Sequence, residues 1–190
     1  MFSEIVRKNR SYRRFYQEKT ISEETILELL NNARLTPSGA NKQPVRYFYS
    51  CDPKQNEKIF PHLRWAGYLQ DWDGPVEGER PSGYIILLTG TGVNAPQDEG
   101  IIAQTILLGA VEKEMGGCML GNVDRPALTE ALKIPEDYQI KLVIALGYPK
   151  EEVVIEKIPA DGDIKYYRDE NQVHHVPKYS LDSLILNGKF

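Results

Sequence analysis

An α+β fold is predicted by three features of the 190-residue chain. Two runs, GYIILLTG at 83–90 and YQIKLVIALGYP at 138–149, are apolar over the length of a strand. Unbroken runs of this kind mark strands buried on both faces. Between them lies EGIIAQTILLGAVEKEMGG, 99–117, apolar on most faces, as befits a helix that crosses a core. No repeat, low-complexity tract or long linker breaks this alternation of strands and helices, so one domain over 1–190 is expected.

The elements follow in order. Ser3 is placed to cap a short helix reaching about Asn9, with Ile5 and Val6 as its apolar contacts. Ser22 starts a stronger helix: Ile26, Leu29, Leu30 and Ala33 share one face, Glu23 and Glu24 suit its positive end, and Pro37 and Gly39 stop it. VRYFYSC, Val45–Cys51, reads as an aromatic-rich strand. Asp52 to Pro81 is mixed, with Pro, Gly and both Trp residues. Gly116 and Gly117 end the long helix, and Gly147 and Pro149 end the strand after it. The tail is polar, with room for short strands before SLDSLIL at 180–186.

Composition narrows the function. The apolar fraction of 41% is enough for a core. No apolar run nears the roughly 20 residues that span a bilayer, so no membrane partner is expected. The opening MFSEIVRKNR has neither the apolar stretch nor the cleavage site of a secretory signal. Cys51 and Cys118 are too few for a disulfide scaffold, which points to the cytoplasm. A net charge of -4 argues against nucleic acid as a partner.

Three motifs read as chemistry-poor. Gly90, Gly92 and Ala95 satisfy a dinucleotide pattern, but Asn94 and Pro96 follow at once and helical periodicity is expected only near Gly100. His62, His174 and His175 lack metal-ligand spacing, and adjacent His174 and His175 on a strand would face opposite ways, so no metal is expected. Cys118 lacks a paired histidine and reads as a small buried residue.

Two stretches remain. RKNRSYRRF, Arg7–Phe15, gathers Arg7, Lys8, Arg10, Arg13 and Arg14 around Ser11. Guanidinium forks and a hydroxyl suit phosphate oxygens, although a solvated helix end has the same composition. LTPSGANKQP, Leu35–Pro44, combines small residues that admit a flat ligand with Asn41 and Gln43, whose amides match the edge of a heterocycle. An ordinary polar loop reads the same way.

The two stretches occur in this order about 25 residues apart, and together they resemble the nitroreductase family of flavoproteins. The first motif is carried by Arg10, Ser11, Arg13 and Phe15, the second by Pro37, Ser38, Asn41, Gln43 and Pro44. ERPSGYIILL resembles the family's central strand, DEGIIAQTILLGAVEKEMGGCMLGN its core helix and the flavin-facing loop after it, LVIALGYP its last core strand, and VPKYSL its closing segment. The resemblance implies a sandwich with a mostly antiparallel sheet flanked by helices, an intertwined homodimer, and FMN at the interface with NAD(P)H as co-substrate. It implies phosphate and ribityl contacts from Arg10, Ser11, Tyr12, Arg13 and Lys178. Pro37, Ser38, Gly39, Asn41 and Gln43 would come from the partner, and the backbone of Met119, Leu120, Gly121 and Asn122 would face the ring. Trp65, Tyr68 and Trp72 are candidate pocket walls or plain packing.

The chain departs from the family at Asn9, where many relatives carry an Arg, and at Tyr179, where some carry a basic residue. Arg14, Lys165 or Arg168 could replace the missing charge. The implied reaction is ping-pong reduction of a nitroaromatic, quinone or similar acceptor, with no catalytic side chain because the flavin carries the chemistry. The alternatives are substrate dehydrogenation, reductive dehalogenation or flavin destruction on the same scaffold, or a flavin-binding redox sensor.

Overall fold

The apolar run at 83–90 forms the centre of the fold. In a computed structural model of the chain, which describes residues 1–186, it is strand β2 (Gly83–Gly90), with seven of its eight residues buried. It pairs antiparallel with β1 (Arg46–Ser50) on one side and with β4 (Tyr138–Gly147) on the other. The edge opposite β1 is β3 (Gly116–Leu120), antiparallel to β4. The order is β1-β2-β4-β3, the antiparallel sheet that was expected.

Alternation along the two central strands builds two cores. Ile85 and Leu87 of β2 and Ile144 and Leu146 of β4 join one cluster with α2 (Glu23–Arg34) and α4 (Pro96–Glu112). The intervening Tyr84, Ile86, Val143 and Ala145 are equally buried and point to the other face. There α3 (Pro53–Ile59) meets α5 (Arg125–Leu132), and α5 lies against β4.

Some boundaries differ from expectation for local reasons. The first helix, α1, spans Phe2–Lys8, so Ser3 lies inside its first turn, and the terminal ammonium of Met1 bonds Glu4 at 2.6 Å. Ser22 does cap α2, accepting from the Thr25 amide at 3.1 Å. Helix α4 begins at Pro96, not near Gly100, because proline suits the first helical position. The dinucleotide reading of Gly90–Ala95 still fails, since β2 has only antiparallel neighbours. The Gly116–Leu120 segment, expected as helix end and loop, is strand β3.

The described chain divides into two compact units, residues 1–65 with 73–150, and residues 66–72 with 151–186. All elements above belong to the first. In the second, β5 (Val153–Ile158) runs parallel to β7 (His174–Tyr179), β6 (Tyr167–Arg168) pairs antiparallel with β7, and α6 covers Leu181–Leu184. His174 is fully buried, while His175 on the opposite face bonds Glu156 at 2.7 Å and Asp169 at 3.3 Å. Among the described residues no helix is long and apolar enough to cross a membrane.

Candidate functional site

The opening motif is stitched onto the edge of the sheet. The Tyr12 amide donates to the Gly117 carbonyl at 3.0 Å, and Ser11 bridges Gly117 in parallel. Phe15 is fully buried, its amide donating to the Glu79 carbonyl at 3.0 Å. Two glycines admit the motif. A side chain at Gly116 would collide with the Tyr12 ring, and one at Gly147 would come within 2.7 Å of Phe15. The segment 11–16 therefore lies along the start of β3 and the end of β4, and the cations between these anchors have fixed neighbours.

Those neighbours separate the cations. Arg14 makes a bidentate pair with Glu79, 2.6 and 2.8 Å, and Lys150 reaches the same carboxylate at 3.0 Å. The Arg14 hydrogen bond, followed by Lys150, holds the Glu79 carboxyl down at about 2, against the opposing effect of burial. Arg14 is thus occupied as a strut. Arg168, in the second unit, is likewise held by Glu151 at 2.9 Å and stacks on Trp72 at 4.2 Å. Arg10 makes no ion pair among the described residues. Its Nη2 donates to the Val6 carbonyl at 3.0 Å, and its Nε is buried without a hydrogen-bond partner. Arg13, only 8% exposed, turns Nη1 to the Ser11 carbonyl at 3.0 Å. Ser11 is exposed, and Asn9 is buried at the end of α1.

The Pro37–Pro44 loop is anchored to the start of α4. Ser38 donates from Oγ to Asp98 at 2.6 Å, the Gly39 amide donates to the other oxygen at 3.1 Å, and the Gln43 amide donates to Ser38 Oγ at 2.9 Å. The Ser38 hydroxyl, then the Gly39 amide, lowers the Asp98 carboxyl below its ordinary range. These bonds hold a strained backbone. Ala40, Asn41 and Gln43 all have positive φ, 48°, 53° and 48°. Such residues cost on the order of 1–3 kcal/mol each and gather at functional sites. Asn41 and Gln43 are exposed, and their side chains bond each other at 3.0 Å.

The two motifs are anchored at different levels of α4. Their anchors are Asp98, for the loop, and Gly117, whose α-carbon packs at the level of Leu107. Nine residues of helix separate Asp98 from Leu107, about 14 Å.

The ring-facing residues divide between a strand and a turn. Met119 and Leu120 lie in β3, paired with Ile144 and Val143, while Gly121 and Asn122 are exposed beyond its end. Because β3 is an edge strand, alternate amides face away from β4. Arg125 fixes the turn by donating to the carbonyls of Gly121, Ile140 and Lys141, each at 3.0 Å. The Arg64 amide donates to the Asn122 carbonyl at 3.0 Å.

The aromatic trio divides between the two units. Trp65 is buried in the first unit against Phe60, with ring centroids 6.0 Å apart. Tyr68 and Trp72 lie in the second unit, against Tyr166 and Arg168. Lys178 is exposed on β7, in register with Lys157.

Asp98, Glu79 and Arg125 were not anticipated. Asp98 and Glu79 are anchors far away in sequence from the motifs they hold, 60 and 65 residues. The only local signal was the acidic first turn that follows Pro96.

The profile of the nitroreductase family matches residues 6–70 and 91–148. The chain belongs to the nitroreductase family. Both motifs and the β3 edge fall inside the matched segments. A similar protein of Archaeoglobus fulgidus bears a name that proposes NADH dehydrogenase or NAD(P)H nitroreductase activity. It is 29% identical over 149 residues, covering 73% of this chain and 80% of that protein. An iodotyrosine deiodinase of Thermotoga neapolitana is 23% identical over 169 residues, covering 80% and 90%. The solved FMN-dependent nitroreductase of Clostridium difficile R20291 shares the fold, with a TM-score of 0.62 at 21% identity, covering 78% of this chain and 87% of that one. The nitroreductase-like α+β fold expected from sequence is therefore the fold of this chain.

Proposed function

We propose that this nitroreductase-family chain is an FMN-dependent oxidoreductase that takes hydride from NAD(P)H and delivers it to a small oxidised acceptor, a nitroaromatic or a quinone, in a ping-pong cycle. When bound, the flavin supplies the two-electron chemistry.

The residues present fit that group. The observation that carries the reading is the buried Arg10 Nε, without a hydrogen-bond partner beside Ser11 and Arg13, while neighbouring Arg14 is consumed by Glu79. Such a donor suits a phosphate oxygen. Arg10, Ser11 and Arg13 would hold the phosphate, with Tyr12 fixing their backbone on β3. Lys178 would add a further cation from the closing strand. Outward amides of Met119–Asn122 would donate to the ring edge and favour its electron-rich form. Pro37, Ser38, Gly39, Asn41 and Gln43 would meet the same flavin from a second copy. The offset of about 14 Å between the motif anchors along α4 supports a homodimer in which the two motifs of one site come from different copies.

The likeness to an iodotyrosine deiodinase favours reductive dehalogenation as the second reading. Anaerobic titration separates the two. The purified protein should be yellow, and NADH or NADPH should bleach the flavin band rapidly. A nitroaromatic or quinone should then restore it. A flavin that neither nucleotide bleaches, but that dithionite reduces and a halophenol reoxidises, would replace the leading reading with the second. A colourless protein that takes up no FMN would refute both.

A further inference from the structure

A cavity of about 490 Å³ opens in the first unit on the α3 side of the sheet, a volume in the range of small-molecule sites. None of the residues assigned above to the flavin lines it. Its walls are the 17–20 segment, the first turns of α3 and the 77–82 loop, and its floor is the start of β2. The loop is held in shape from within, because Gln17 Oε1 accepts from the amides of Gly78 at 2.8 Å and Arg80 at 3.1 Å.

The floor carries polar atoms with no internal use. Asn56 is 8% exposed and spends its amide nitrogen on the Ser82 carbonyl at 3.0 Å. Its Oδ1 is buried without a hydrogen-bond partner. Ser82 is 7% exposed, and its Oγ is also buried without one. Arg80 lays its guanidinium on the Phe60 ring at 4.4 Å, which leaves its buried Nε–H unused. Buried polar atoms are rarely left unmatched, and each such atom calls for a cause. Here the residues that carry an acceptor, a hydroxyl and a donor line one cavity, each of these atoms lying just beneath its surface. At its mouth Glu18, Glu57 and Glu77 are exposed, three carboxylates against the one guanidinium of Arg80.

We propose that this cavity is a second binding site, for a small amine-bearing amide. An amide head offers both partners the floor lacks: its N–H suits Asn56 Oδ1, and its carbonyl suits the Arg80 Nε–H, with Ser82 able to serve either. A protonated amine at the other end suits the carboxylates of the mouth. An anionic ligand would face their repulsion, and an apolar one would leave the floor unmatched.

The probe is L-lysinamide, titrated calorimetrically into the full-length, flavin-loaded protein. Saturable binding that weakens with added salt is expected. Butylamine, which lacks the amide, and N-acetylglycinamide, which lacks the amine, should each bind about tenfold more weakly or worse, given what a hydrogen bond to a charged or buried group contributes. Ser82→Ala removes one floor contact and should weaken lysinamide binding by roughly 3- to 10-fold. Glu57→Lys reverses a charge at the exposed mouth and should weaken it by about tenfold, with no core residue touched. Melting temperature and flavin absorbance report whether each variant is folded. If Ser82→Ala does not fold, Glu57→Lys decides. No saturable binding to the folded wild type, binding unchanged in the folded variants, or butylamine binding as tightly as lysinamide would each overturn the proposal.

Discussion

Replacing Glu79 by Gln tests whether the opening motif is held by its ion pair. Glu79 is nearly buried, and two cations share it, Arg14 at 2.6 Å and Lys150 at 3.0 Å. Its carboxyl sits at about 2 in the folded chain against an ordinary 4.5. The difference of about 2.5 pH units corresponds to roughly 3.4 kcal/mol at 1.36 kcal/mol per unit. Lys150 is 40% exposed, so screening reduces the expected value to about 2–3 kcal/mol. The sign follows from the direction of the shift. A lowered folded value means that the unfolded chain binds more protons between pH 4.5 and 2, so this stability is complete above about 4.5 and is lost as the pH falls through about 2. Urea unfolding should therefore show Glu79→Gln less stable than wild type by about 2–3 kcal/mol at pH 7. The gap should narrow steadily from pH 4.5 downward. A gap that is already absent at pH 7, or one that stays constant down to pH 2, would refute the assignment of the strut to this charge.

The other expectations are sharper on binding than on stability. Arg10→Ala or Arg13→Ala should weaken FMN binding by on the order of 1.5–3 kcal/mol, about 10- to 150-fold by fluorescence titration, and unchanged affinity in both would return the cluster to a solvated helix end. Gly147→Ala, with its added carbon 2.7 Å from Phe15, should lower stability by roughly 1–3 kcal/mol in the same urea assay. The His175 imidazole is raised by hydrogen bonds to Asp169 and Glu156, which outweigh burial. Its contribution is present below its unfolded value near 6.5 and is lost as the pH rises through the folded one, and an NMR titration of the ring proton should give a midpoint above about 6.5. Arg10→Ala and Gln43→Ala subunits, each weak in FMN binding alone, should on mixing recover one tight site per mixed dimer, a recovery that would not occur if each chain held its own flavin.

The central strands were legible because burial on both faces leaves a mark in every residue. Nothing polar interrupts Tyr84–Leu88, and the structure buries all five residues. Helix α5 escaped notice because its pattern is short and only Leu128 and Leu132 are buried along it. Strand β3 is hidden in the sequence because GGCML opens with two glycines, which ordinarily end elements. Their reason is close packing: Gly116 gives room to the Tyr12 ring, and Gly117 lies against the Ala145 carbonyl and Leu107. The motifs were legible for a similar reason, since Arg10–Ser11–Arg13 and Pro37–Pro44 each lie within one short stretch. Their anchors were not, because Asp98 is 60 residues from Ser38 and Glu79 is 65 from Arg14.

Those distant anchors decide how the cation cluster is divided. Five positive charges within Arg7–Arg14 look equivalent in sequence, yet Arg14 has no capacity left once its fork is filled by Glu79. A phosphate at this motif would then find Arg10 and Arg13 on either side of Tyr12, whose amide bonds the Gly117 carbonyl. Asn9 stands where the sequence pattern would place a further cation. Asn9 is 8% exposed and its amide closes α1 on the Ile5 carbonyl at 2.9 Å. The chain thus keeps a small number of well-placed donors on a rigid edge rather than a broad basic surface, which is how an acidic protein of net charge -4 would hold an anion at its first motif under the proposed function.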